Sequence, residues 1–236
     1  MKKNALFFLG LSISIFFAGC AKDPENPGYA RYMYLNAIHD VVNTDFYADN
    51  FKQNITPIAF GSNTIYNGIT PGDRLIAIKL GLVNSTITQK VFNIKLNEAN
   101  RPNYTLIASN STASPDLIWI EDDLTLPAAG KSGLRIINAS PDAPSLNAYV
   151  GTALVPIFPA ASYAYKSFSA FTPIDATVTG TSYSIQIRNV SNGAVLRTQT
   201  MTATAGKLYT IVVRGLVTPS FAFPGYVLSS TLVGNN

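Results

Sequence analysis

Two stretches of this chain, 31–47 and 134–150, carry the same residue types at the same spacing about a hundred positions apart. A chain that repeats itself at that distance is expected to fold as two copies of one plan. Asn36, Ala37, Asp40 and Tyr47 fall in register with Asn138, Ala139, Asp142 and Tyr149. In the second copy, Leu134 and Ile136 alternate with Arg135 and lead into Asn138-Ala139-Ser140-Pro141-Asp142. Proline fixes φ there, and the Ser and Asp side chains can bond nearby backbone amides, so a strand ends in a tight turn. A second strand follows, with Leu146, Ala148 and Val150 on one face.

Asn138-Ala139-Ser140-Pro141-Asp142-Ala143-Pro144, followed by Leu146, Ala148 and Tyr149, resembles the opening of the DUF4397 domain. That resemblance implies a β-sandwich module common in secreted and lipid-anchored bacterial proteins, with no catalytic or binding residues to carry over. In the first copy Ile38-His39 stands in place of Ser-Pro, and Val41-Val42 in place of Ala-Pro.

The start of the chain bears on location. Met1-Lys2-Lys3 is a positive n-region, and 5–17 is an apolar run too short for a comfortable membrane span but suited to a signal-peptide core. It leads into Phe17-Ala18-Gly19-Cys20, which resembles a lipobox with Phe in place of the usual Leu. A signal peptide over 1–19 and lipidation of Cys20 are therefore expected. Cys20 is the one cysteine in the chain, so no intramolecular disulfide can form. Several acyl chains on one residue, at about 0.8 kcal/mol per buried CH₂, would hold the protein on a membrane. Residues 20–28 read as a polar, Pro-rich tether, and Lys22-Asp23 with Glu25 resembles the signal that sends Bacteroidota lipoproteins to the outer face of the outer membrane. A simple solvated linker is the alternative. The formal charge of +4 is halved by loss of Lys2 and Lys3 with the leader, which removes the case for a nucleic-acid partner.

From Tyr29 onward no stretch shows the 3.6-residue helical period, whereas short alternating or β-branched runs recur between Gly, Pro and Asn. With 47% hydrophobic and 13% charged residues the chain can build real cores. The expected fold is all-β: two tandem antiparallel sandwiches, Ig-like or transthyretin-like, over 29–126 and 133–236 with a linker at 127–132. Strands are predicted at 31–37, 44–48, 56–60, 64–67, 74–80, 90–96, 104–108 and 117–121 in the first half. In the second they fall at 134–139, 145–150, 163–168, 182–189, 194–202, 208–215 and 226–232. Tyr209-Thr210-Ile211-Val212 matches Tyr104-Thr105-Leu106-Ile107. The short linker permits either a stacked pair or a limited hinge.

Candidate chemistry is sparse. His39 is the one histidine, and although Asp40 adjoins it, neighbouring residues in a turn point apart. With one His and one Cys, a transition-metal site of ordinary type has no ligand set, and no cofactor is expected. Glu121-Asp122-Asp123 is the one acidic cluster, readable as a Ca²⁺ contributor or as a solvated strand end. Phosphate-cradling glycine loops are missing. Among the aromatics, Tyr163, Tyr165 and Phe171, with Trp119, are candidates for an exposed shelf that stacks on sugars or anchors a partner; the alternative places them in the cores. The expected function is non-enzymatic: a lipid-anchored envelope protein, exposed at the cell surface by its export signal, acting as an interaction or spacer module toward an envelope protein. A glycan-binding protein using those aromatics is one alternative, and a hydrolase using His39 with Asp40, or residues 121–123, is the other.

Overall fold

The computed structural model describes residues 29–81, 83–95, 101–219 and 225–236; the leader, Cys20 and the tether lie outside them. All regular structure among the described residues is β. The first half holds β1 (Ala30–Ile38), β2 (Asn43–Ala48), β3 (Phe51–Lys52), β4 (Ile58–Ala59), β5 (Asn67–Ile69), β6 (Gly72–Leu80), β7 (Thr86–Ile94), β8 (Asn103–Ser111) and β9 (Ser114–Asp122). The second holds β10 (Lys131–Asn138), β11 (Leu146–Val150), β12 (Thr172–Asp175), β13 (Thr181–Asn189), β14 (Val195–Ala203), β15 (Leu208–Arg214) and β16 (Ser229–Gly234).

Four sheets result, and they form two β-domains of one design. One sheet runs β5-β1-β8-β9 and its counterpart β12-β10-β15-β16; the other runs β3-β2-β6-β7, with β4 also on β2, and its counterpart β11-β13-β14. Seven of the nine strands in the first half therefore correspond one to one with the seven of the second, β3 and β4 having no counterpart.

The sandwiches are not wholly antiparallel, contrary to the sequence expectation. β1 pairs parallel with β8, from Arg31↔Asn103 to Ile38↔Asn110, and β10 pairs parallel with β15, from Gly133↔Leu208 to Asn138↔Val213. The physical reason is burial on both faces. Parallel strands in a covered sheet read as near-continuous apolar runs rather than alternating ones. Seven consecutive residues, 32–38, are buried in β1, as are 132–138 in β10.

The second buried face lies against the other half. Tyr32, Tyr34, Phe46, Ile76 and Leu106 pack inside the first sandwich, and Leu134, Ile136, Phe158, Ile185 and Ile211 inside the second. A third core of Met33, Leu35, Ile107, Ile118, Ile120, Ile137, Val212 and Val233 draws on both halves. Two inner sheets thus pack face to face, with an outer sheet on each side. Each large aliphatic chain buried in that seam contributes about 1.5–3 kcal/mol relative to exposure. Of the two arrangements the linker permits, the halves adopt the stacked one.

Both halves point the same way. At one end, Thr231 donates to the carbonyl of Gly61, whose amide donates to Asn36 O, and Tyr165 meets Ser109. At the other end, Arg31 lies over the Tyr66 ring, and Asn235 Nδ2 donates to the Tyr66 hydroxyl. The start of β1 and the end of β16 are therefore neighbours, far from the two repeated turns.

Residues 163–168 form no strand. Tyr163 and Phe168 make isolated bridges to Leu146 and Ile137, separated by a turn with Lys166 at φ 68°. Thr172–Asp175, which shows no strand pattern in sequence, forms β12 instead. Pro173 is tolerated there because β12 is an edge strand.

Candidate functional site

The repeated residues are the first candidates, and in both halves they hold the same backbone positions. Asn36 Oδ1 accepts from the Ile38 amide at 3.1 Å, and its Nδ2 donates to Ile58 O at 3.0 Å. Asn138 Oδ1 accepts from the Ser140 amide at 3.1 Å, and its Nδ2 donates to Tyr163 O at 3.2 Å. Both asparagines are fully buried, so each closes the end of its inner strand and satisfies backbone groups that water cannot reach. Asp40 accepts from the amide and hydroxyl of Thr112, and Asp142 accepts from the amides of Val217 and Thr218 at 2.8 Å. The two aspartates tie the turn after β1 or β10 to the segment after β8 or β15. The motif therefore anchors loops in the fold.

With both Asp40 oxygens engaged by Thr112, no carboxylate among the described residues orients His39: its Nδ1 is buried and has no hydrogen-bond partner among them. The paired base that a hydrolase of this kind needs is not assembled.

The four aromatic candidates do not share a surface. Trp119 is half-buried in the first sandwich, stacked between Phe92 at 4.5 Å and Tyr104 at 4.8 Å. Tyr163, only 5% exposed, packs edge-on to Phe158 in the second core. Tyr165 points the other way, toward the first half, where its hydroxyl donates to Asp116 at 2.9 Å and meets Ser109 Oγ at 2.8 Å. The period-two spacing that put Tyr163 and Tyr165 on one face fails because the segment is a turn rather than a strand. Phe171 lies half-buried beneath the Arg135 guanidinium, 4.6 Å from its centre. Phe168, 45% exposed, joins it along a cleft of about 290 Å³ that Glu121 and Asp123 also line.

The acidic cluster is likewise divided. Glu121 forms an exposed pair with Lys95, which contributes little to stability. The Thr125 hydroxyl and amide hold the Asp123 carboxyl below the usual carboxylate range. Asp122 turns inward to a polar network within the seam between the halves. Arg135 Nη1 donates to Asp122 Oδ1 at 2.6 Å, its Nη2 to Thr105 Oγ1 at 2.9 Å and its Nε to Thr210 Oγ1 at 2.7 Å. The second Asp122 oxygen accepts from Thr105 at 2.8 Å and Tyr66 at 2.6 Å, and Thr210 donates to Asn235 Oδ1 at 2.6 Å. Burial and the Asp122 charge push the Tyr66 hydroxyl up to about 12, so it remains a donor at all working pH. Arg135, at 2% exposure, is the central residue that sequence reasoning missed. The available signal was its place as the lone charge in an apolar run.

Among the described residues no three His, Cys, Asp or Glu side chains converge so as to hold a metal ion. Beside the start of β1, Arg31, Arg101, Glu121 and Asp123 of the first half line a polar cleft of about 560 Å³.

A second polar tie lies at the turn end of the seam. Burial raises the Asp116 carboxyl's pKa, but bonds from Lys166, Tyr165 and Asn110 outweigh this and leave it lowered. A carboxyl depressed in the folded state adds stability above its unfolded value, and loses it as pH falls through the folded value. Urea unfolding of the wild type should therefore weaken relative to Asp116→Asn as pH is taken from 5 to below about 3. A constant difference between the two over that range would remove Asp116 from the account.

A family profile described as Domain of unknown function (DUF4397) matches the chain twice, over residues 33–149 and 132–224. A search of curated proteins found no match.

Proposed function

The chain belongs to the DUF4397 family, in two apparent copies, and from that premise we propose that it is a lipid-anchored, non-catalytic module of the bacterial cell envelope. In this reading residues 1–19 are removed, Cys20 carries the acyl chains, and 20–28 lifts a stiff double sandwich of Ig-like or transthyretin-like type off the outer membrane. The pattern Phe17-Ala18-Gly19-Cys20, after an apolar run of signal-peptide length, supports the anchor. The observation that carries the spacer role is the seam: an apolar core and the Arg135–Asp122 pair join the halves. A module so joined transmits position rather than flexing between its parts.

Metabolic labelling with an alkyne fatty acid tests the anchor. Wild-type protein should take up label and sediment with membranes, while Cys20→Ser should lose the label and enter the soluble fraction. Unlabelled wild type, or a labelled variant, would overturn it. Protease treatment of intact cells tests the surface location, since a protein on the outer face should be digested.

A further inference from the structure

Every open sheet edge is a template for another strand, and proteins ordinarily guard such edges with charge, proline or brevity. β9 carries Pro115, Asp116, Glu121 and Asp122, and β16 spans only six residues. The outer sheets end on two nine-residue strands, β7 and β14, and neither has another strand beyond it among the described residues. These two are counterparts, yet their centres differ. Ile78 pairs with Thr88 and Ile187 with Arg197, so two residues further along Lys90 in β7 corresponds to Gln199 in β14. The first half thus places an ammonium at the middle of its edge, and the second half a neutral amide.

We propose that β14 is a homodimer interface, pairing antiparallel with β14 of a second copy about a twofold axis near Gln199. In that register Thr198 lies opposite Thr200 of the other copy, twice, and Arg197 opposite Met201, as far as the bulge at Leu196. No like charges oppose one another, because Arg197 is the one charged residue in the strand. The same operation on β7 sets two Lys90 side chains against each other, a repulsion that keeps that edge single. Thr198, Thr200 and Thr202 are exposed, and β-branched residues facing one another across a ladder stabilise it. β14 also lacks proline, so each amide that points away from β13 can join a ladder. A twofold contact needs only a surface complementary to itself, which β14 is and β7 is not.

The whole chain in a mild detergent, followed by size-exclusion chromatography with light scattering, should show a dimer whose fraction rises with concentration. Thr198→Lys with Thr200→Lys should return it to monomer across the same range while its circular dichroism is retained, and Lys90→Gln should leave β14 pairing intact. Amide exchange on the unmodified chain supplies a readout independent of any variant: protection over 195–203 should grow with protein concentration. A wild type that stays monomeric, a dimer that survives both lysines, or exchange over 195–203 that ignores concentration would each overturn the proposal.

Discussion

Replacing Arg135 with alanine is expected to cost about 3–5 kcal/mol, because it leaves the Asp122 carboxylate buried in the seam without its counter-charge. The guanidinium bonds Asp122, Thr105 and Thr210 and covers Phe171, so its removal strands acceptors on both halves. Urea denaturation should show the loss as a lowered midpoint. The repeat suggests a sharper comparison. The Tyr34 amide donates to Thr64 Oγ1 as the Ile136 amide does to Ser169 Oγ, so Arg135 occupies the place of Met33; by the same reasoning Asp122 occupies the place of Asn235. Arg135→Met combined with Asp122→Asn gives each site the residue that the other half already uses. A buried ion pair exchanged for groups of similar volume is often close to neutral, so the double change should cost less than about 1.5 kcal/mol. A single change costing under about 1 kcal/mol would show that the pair does not hold the seam. Trp119 fluorescence reports on the first half and far-ultraviolet circular dichroism on both. The two transitions should coincide in the wild type if the shared core makes the halves unfold together.

Trp119→Ala is expected to cost about 3 kcal/mol, near the lower end for loss of a large aromatic from a core. Its ring is stacked on Phe92 and Tyr104, and such pairs add about 0.5–1.5 kcal/mol beyond area burial. Circular dichroism is the readout, since the variant has no tryptophan. A change below about 1 kcal/mol would mean that the ring contributes little to packing, and would reopen its reading as a ligand platform.

The all-β character, the duplication and most strands were legible because they rest on local chemistry. β1, β2, β6, β8, β13 and β15 begin or end within about two residues of their expected places, and the Asn-Ala-x-x-Asp turns close both inner strands. Strand direction was less accessible. Tyr104-Thr105-Leu106-Ile107 and Tyr209-Thr210-Ile211-Val212 were recognisable as counterparts, but their parallel pairing depends on burial of both faces. The unbroken apolar run 32–35 was its trace in sequence. Residues 163–168 misled for the opposite reason: Tyr-Ala-Tyr has strand spacing, yet Lys166 takes a left-handed turn there, and the two rings serve different halves. The Arg135–Asp122 network could not be read from spacing at all, because it joins residues from separate strands of separate halves.

The shared direction of the two halves gives the molecule a root and a crown. Residue 29 and residue 236 both emerge at the root, whereas Asp40 and Asp142 sit in the crown with the loops they fasten. A reporter fused after Asn236 would therefore crowd whatever residue 28 leads to. An epitope inserted beside the crown loops would face away from it. Carriers and labels should be placed by that polarity rather than by their distance from Met1 along the chain.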